Sequence, residues 1–382
     1  MRKLGLCVRY DCDNFGSMLQ IMATQKIIKE LGWDYEIIKY DKRTLIFYLK
    51  NVTRIFNPYF MSGKIMDFSK KRQLKRYNDI QEKNDERKKL IQNYREKYIG
   101  PYSDTYKGYK KLTNEVKKYD AVMVGSDQLW TPAGIKSKFY NLLFVPENIR
   151  KISFATSFGV SRIPREQYRE TKKYLSRIDY LSVREQQGIK IVNSLIGKKA
   201  SLVLDPTLMY DQQMWEEIFT SKKLIDEPYI FAYFLGTNVE HRKAVEEFAR
   251  KIGLKIVTCP HMDYFVEYDI NFGDIQRFNT DPIDFLNLIR NAEYVCTDSF
   301  HGTVFSILNH KKFMTFDRYS KGIESRNSRI DSLFKELNLE SRRSSGKDIC
   351  SELIKSIDYK KVDCKLSALR KQSFEFLEKA LR

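Results

Sequence analysis

The chain has 382 residues, with 68 Lys+Arg against 49 Asp+Glu, so its formal net charge is +19. Hydrophobic residues make up 42% and aromatics 13%, enough apolar surface for buried cores, which excludes a disordered basic tail as the whole protein. No apolar run approaches the ~20 residues that cross a bilayer as a helix, and at roughly 100–200 residues per domain the length favours two domains.

Leu4 to Arg9 is a strand candidate, followed by the polar turn Asp11 to Ser17 and an amphipathic run in which Leu19, Met22, Ala23, Ile27 and Leu31 recur at helical spacing before Gly32. Tyr35 to Tyr40 is the next strand. Strand, turn, helix and strand form a βαβ unit, which calls for a parallel sheet with covered faces. From about 44 to 119 the character changes. Residues 61–120 hold 17 Lys+Arg and 9 Asp+Glu, a net of +8. Phe68, Leu74, Ile80, Leu90 and Ile91 make an interrupted apolar stripe, so this segment reads as a basic helical insertion with one buried side.

Alternation resumes with strands at Ala121–Val124, Ile152–Ser157, Tyr180–Val183 and Leu202–Leu204, with helices between them. A second series follows the polar stretch Lys222 to Pro228. It comprises Tyr229–Leu235, a helix over Val239–Ile252, Lys255–Thr258, a helix over Pro282–Arg290, Tyr294–Thr297, Val304–Leu308 and Phe313–Phe316. The expected organisation is a first α/β domain over 1–220, a second over 221–346, and a helical segment over 347–382. In that last segment Phe374, Phe376 and Leu377 need a partner surface. The apolar start is broken by Arg9 and Asp11, so no secretion signal is expected. Cys7, Cys12, Cys259, Cys296, Cys350 and Cys364 include no CxxC pair, which fits a reducing cytoplasm, with Cys7 and Cys296 as buried thiols.

In doubly wound sheets the ligand lies beyond the carboxyl ends of strands, so the turns there hold the candidate chemistry. Asn14-Phe15-Gly16-Ser17 can offer backbone N–H groups to an anion or a sugar hydroxyl. Gly125-Ser126-Asp127-Gln128-Leu129-Trp130 puts a carboxylate, an amide and an indole together, which suits carbohydrate; equally, Asp127 caps a helix and Trp130 is core. Arg184 in Ser182-Val183-Arg184-Glu185 can grip a phosphate or carboxylate through its planar fork, or pair with Glu185 or another acid. His301 lies in Thr297-Asp298-Ser299-Phe300-His301-Gly302, beside a helix start, a context for a general acid or base that His241, His261 and His310 lack. Arg326 and Arg329 can close over an anion or line a solvated helix start. The four histidines show no metal-ligand spacing, and neither GxGxxG, the P-loop, GxSxG nor the kinase and deaminase signatures is present.

Six motifs then stand in order: Asn14-Phe15-Gly16-Ser17 with Leu19-Gln20; Val124 to Trp130; Ile152-Ser153-Phe154-Ala155 with Ser157-Phe158-Gly159; Ser182 to Glu185; Leu204-Asp205-Pro206-Thr207-Leu208; and Thr297 to Gly302. Together, from about residue 3 to 340, they resemble the polysaccharide pyruvyl transferase family. The resemblance implies two Rossmann-like domains facing a cleft, similar to B-type glycosyltransferases. It further implies transfer of the enolpyruvyl unit of phosphoenolpyruvate to two hydroxyls of one sugar, leaving a pyruvate ketal and phosphate, with no metal or organic cofactor.

On that reading His301 is the catalytic acid or base, Arg184, Arg326, Arg329, Ser299 and Gly302 bind the donor, and Asn14, Gly16, Asp127, Gln128 and Trp130 bind the acceptor glycan or lipid-linked oligosaccharide. Many members of the family carry Arg two positions before the motif histidine, where this chain has Ser299; Arg318, Arg326 or Arg329 takes that place, or the donor differs. The alternative enzyme is a nucleotide-sugar glycosyltransferase of similar fold. The expected location is the cytoplasm, with peripheral contact at the inner face of an anionic membrane through the basic insertion. No specific nucleic-acid partner is expected, because the aromatics follow core periodicity and do not interleave with the basic runs.

Overall fold

The structure, a computed structural model, describes residues 2–44, 77–260, 265–318, 327–344 and 349–382. Two parallel sheets organise these residues. The first holds β1 (Lys3–Cys7), β2 (Asp34–Asp41), β3 (Tyr102–Lys107), β4 (Ala121–Val124), β5 (Arg150–Thr156), β6 (Tyr180–Val183) and β7 (Ser201–Leu202), in the spatial order β3-β2-β1-β4-β5-β6-β7. The second holds β8 (Tyr229–Tyr233), β9 (Lys255–Thr258), β10 (Ile275–Gln276), β11 (Tyr294–Thr297), β12 (Lys312–Phe316) and β13 (Arg343–Ser344), in the order β10-β9-β8-β11-β12-β13. Both orders reverse beside their first strand, at β1/β4 and β8/β11, and such reversals open a crevice at the strands' carboxyl ends.

The central strands are apolar throughout because helices cover both faces. All four residues of β4 and all five of β8 are buried. The strands read from the sequence appear within two residues of their expected limits, whereas Val304–Leu308 belongs to a helix, Phe300–Leu308.

The segment before β4 differs from the expectation of helices alone. Asn78–Tyr98 is a helix, but β3 follows it and pairs in parallel with β2, from Ile37 opposite Tyr102 to Asp41 opposite Lys107. As an edge strand β3 needs only Ser103 and Tyr106 buried, so its sequence stays polar. The helix Asn78–Tyr98 also holds six Lys+Arg against five Asp+Glu and pairs Lys83 with Asp79 and Lys88 with Asp85, so little of the basic excess lies on it. Its buried face includes polar Asn84 and Arg87. Arg87 donates to the carbonyls of Phe278 (2.7 Å), Pro260 (2.5 Å) and Arg277 (2.7 Å), fastening this helix to the second sheet's half.

One apolar cluster runs from the first sheet's helices into the second's, with Phe15 stacked on Phe285 at 5.2 Å. The C-terminal helix Tyr359–Leu381 returns to the first half. Ser373 Oγ accepts from Leu204 N (2.9 Å), Arg150 donates to the Ala380 carbonyl (3.1 Å) and Phe376 stacks on Phe154. Leu377 is buried there, and Phe374 and Phe376 pack at its edge, the covering that their apolar side chains required.

Candidate active site

The turns after β1, β4, β6 and β7 of the first sheet meet the turn after β11 and the helix Ser328–Leu337 of the second half. At the centre is Asp205, whose side chain is fully buried. One of its oxygens accepts from Arg184 Nη1 and Ser126 Oγ, both at 2.7 Å. The other accepts from Thr207 N (3.0 Å) and Thr207 Oγ1 (2.6 Å), because Pro206 starts a short turn that aims both groups back at it. Burial alone would push this carboxyl up, but His301, Arg184 and the Ser126 hydroxyl outweigh it and hold it well below the usual range.

Asp127 is the second acid. Its oxygens accept from Arg184 Nη2 (3.2 Å) and Ser17 Oγ (3.0 Å), linking the first and fourth strand ends. Burial is again outweighed, here by Arg184, His301 and Arg329, and the carboxyl comes down to about 2. Asp127 has φ +87°, a left-handed conformation that costs a non-glycine residue about 1–3 kcal/mol. It is held there because its carbonyl accepts from Leu129 N (2.8 Å) and Ser157 N (2.9 Å). Glu185 is a third, separate acid. Oε1 accepts from Ser157 Oγ (2.8 Å) and Phe158 N (3.2 Å), Oε2 is buried without a partner, and burial raises its pKa.

Two guanidinium groups share one aromatic ring here. Arg184 lies 4.6 Å and Arg329 5.4 Å from the centre of Phe300. The terminal nitrogens of Arg184 are committed to Asp205 and Asp127. Arg329, by contrast, makes no hydrogen bond or ion pair with any described residue, and its Nε is buried without a partner. Burial, and then the nearby Arg184, bring its pKa down to about 9. An arginine whose Nε is buried without a partner, beside a second cation and opposed only at longer range by Asp127, is an arrangement that an anion would relieve.

His301 lies across the cluster on the second half. Its Nε2 is buried, has no hydrogen-bond partner among the described residues, and sits 3.8 Å from an Asp205 oxygen. Its ring rests on Gly16: a Cβ there would lie 2.2 Å from Nδ1, so glycine at this position is what lets the first half approach the imidazole. Asn14 builds that surface by capping the helix Phe15–Glu30, with Oδ1 accepting from Ser17 N at 3.0 Å. Ser299 caps the helix that bears His301, its Oγ accepting from Gly302 N at 3.2 Å. A Cβ on Gly302 would meet Thr297 Oγ1 at 2.7 Å.

Of the residues singled out in the sequence, Arg184, Asp127, Gly16, His301 and Arg329 come together. Asn14, Ser299 and Gly302 shape the two helix starts. Gln128 follows Asp127, but its amide packs over Gly159. Trp130 is not brought to the cluster: it is 4% exposed, packs on Phe158 and Tyr174, and its indole donates to the Tyr140 carbonyl (2.9 Å). Arg326 lies outside the described residues. Arg318 pairs with Asp298, which itself accepts from the Leu235 and Gly236 amides. Sequence reasoning did not select Asp205 or Ser126. The Asp-Pro-Thr turn after β7 was the available signal, since a carboxylate that folds back on its own turn is placed to receive an arginine as well. Among the described residues no group of His, Cys, Asp or Glu is arranged to hold a metal ion, and no helix is long and apolar enough to cross a membrane.

A family model described as polysaccharide pyruvyl transferase matches residues 14–319, most of the chain. No curated protein sequence matches. Among solved structures, the chain is similar to the S. aureus MnaA–UDP co-structure, with 13% identity, a TM-score of 0.51, and coverage of 98% of this chain and 91% of that chain. It is also similar to the UDP-GlcNAc 2-epimerase of Neisseria meningitidis bound to UDP-GlcNAc (10% identity, TM-score 0.48, 98% and 94% covered). A third is Acinetobacter baumannii MurG (8% identity, TM-score 0.43, 99% and 94% covered). At such identities the likeness is one of fold alone: two α/β domains of the B-type glycosyltransferase kind.

Proposed function

The chain belongs to the polysaccharide pyruvyl transferase family and is a transferase, and from that premise we propose that it moves the enolpyruvyl unit of phosphoenolpyruvate onto a sugar as a pyruvate ketal. The observation that carries this reading is Arg329, a buried residue that forms no hydrogen bond or ion pair with any described residue, beside Arg184. Phosphoenolpyruvate supplies a carboxylate and a phosphate to such a site. Arg329 thus takes the role that family members give to an arginine two positions before the histidine, where this chain has Ser299.

The chemistry then needs a proton moved near the reacting carbon. A sugar hydroxyl attacks C2 of the donor while C3 takes up a proton and becomes the methyl group. A second hydroxyl of the same sugar displaces phosphate at C2, and its proton leaves with the phosphate. His301 moves these protons, with Asp205 3.8 Å behind its Nε2 to stabilise the imidazolium. The acceptor lies on the first half's side of the cleft, where Asn14, Gly16, Asp127 and Gln128 are. It is a sugar of a surface polysaccharide such as a capsule or exopolysaccharide, or of its lipid-linked precursor, met at the cytoplasmic face of the membrane.

The test is phosphate release from phosphoenolpyruvate with a panel of lipid-linked glycans, reading product mass. Acceptor-dependent release, a product heavier by one ketal, and a loss of at least 100-fold in His301→Ala are expected. Full activity in His301→Ala refutes its role. Thermal protection by a nucleoside diphosphate and none by phosphoenolpyruvate would instead favour a nucleotide-sugar glycosyltransferase.

A further inference from the structure

The helix Gln186–Ile196 starts directly after Arg184 and Glu185 and runs away from the cluster. Its Gln187, Lys190, Ile191 and Leu195 fall at i, i+3, i+4 and i+8, so they share one face that extends about 12 Å at 1.5 Å per residue. That face and the segment from Ser161 to Tyr168 line a groove of about 210 Å³. The two walls are tied to each other at the end next to Arg184: Ser157, at the root of one, bonds Glu185 at the root of the other, and Gln187 donates to the Ser161 carbonyl (2.5 Å).

The composition of the groove is specific. Ile163 and Ile191 form a buried apolar floor, and Tyr168 stands 44% exposed at the rim. Arg162 and Lys190 are exposed cations that form no ion pair with any described residue, and no acidic residue among those described lines the groove. An exposed ring suits the apolar face of a sugar, and two uncommitted cations suit a carboxylate or phosphate borne by it. A neutral glycan would leave both cations without use, and an inorganic anion would leave the ring and the apolar floor without use.

We propose that this groove is a subsite for an anionic sugar unit, adjacent in the acceptor to the sugar that reacts. Its assignment to the acceptor rests on the function proposed above, while its affinity for an anionic saccharide does not.

The probes are a hyaluronan tetrasaccharide, its carboxyl-reduced derivative, and tripolyphosphate, each titrated against the full chain by calorimetry at fixed ionic strength. The acidic tetrasaccharide should bind at least 10-fold more tightly than the reduced one. Arg162→Ala/Lys190→Ala should abolish that difference, and Tyr168→Ala should weaken both saccharides about equally. Thermal protection by phosphoenolpyruvate should persist in all variants, which also reports that they fold. Equal binding of the two saccharides to the native chain, or no binding of either, overturns the proposal. So does displacement by tripolyphosphate with no effect of Tyr168→Ala, because the groove is then a plain anion patch. Saccharide binding without any protection by phosphoenolpyruvate overturns the donor reading and leaves the groove standing.

Discussion

Replacing Arg329 by methionine separates what the residue costs the fold from what it does for a ligand. Its pKa comes from an ordinary 12.5 down to about 9. At about 1.4 kcal/mol per pH unit, the charge therefore costs the folded state at most roughly 5 kcal/mol. The sign follows from the direction: a depressed basic group makes the folded chain gain stability as pH rises from about 9 toward 12.5, and the cost is fully present at pH 7. Methionine keeps the contact with Phe300 and most of the volume, at a packing loss of about 1–2 kcal/mol. Arg329→Met should thus be more stable than the native chain at pH 7 by about 1–3 kcal/mol, read by urea unfolding. It should also lose protection by phosphoenolpyruvate and at least 100-fold in acceptor-dependent phosphate release. Above about pH 7, where the donor phosphate is fully ionised, the native chain should bind phosphoenolpyruvate with a constant affinity up to about pH 9 and more weakly beyond it. A variant that is less stable and still binds the donor as the native chain does would refute the reasoning, because Arg329 would then be a structural cation.

Three other changes probe the surrounding geometry. Gly16→Ala is compatible with its helix, yet its methyl group would occupy the place of the His301 ring; turnover should fall at least 100-fold, with a shifted His301 resonance and a stability loss of about 1–3 kcal/mol from overpacking. Asp205→Asn leaves Arg184 facing a neutral amide in a buried site and should destabilise by about 3–5 kcal/mol, read as a lowered Tm. In the native chain Asp127 falls from an ordinary 3.8 to about 2, so it contributes roughly 2 kcal/mol above pH 4 that is lost as pH drops toward 2; Asp127→Asn should flatten the acid limb by that amount. Trp130→Ala should cost about 3–5 kcal/mol through its cavity while leaving protection by phosphoenolpyruvate intact; normal stability with lost acceptor turnover would return Trp130 to the acceptor side.

Much of the fold was legible because its causes are local. The runs at 121–124, 229–233 and 294–297 are apolar at every or nearly every position, as strands covered on both faces must be, and the turns at Asn14 and Ser299 are helix starts that these two residues cap. The carboxyl-end turns followed from that alternation, and so did Asp127, Arg184 and His301 as residues to weigh. Where the pattern misled, the missing information was a neighbour distant in the chain. β3 reads as polar because it is an edge, Asn84 and Arg87 are buried against the other half, and Trp130 is an equally good core residue or sugar platform until Phe158 and Tyr174 are seen around it.

What the sequence determined by itself, then, was a basic, two-sheet α/β chain with its polar chemistry at strand ends, because burial period, helix caps and turn residues act over a few positions. The tertiary structure alone decided which of those groups pair. It gave Arg184 to Asp205 and Asp127 and set His301 on Gly16. It left Arg329 buried with no hydrogen-bond or ion-pair partner among the described residues, since charge pairing and desolvation depend on distances between residues on separate strand ends, from 21 positions apart for Arg184 and Asp205 to 285 for Gly16 and His301.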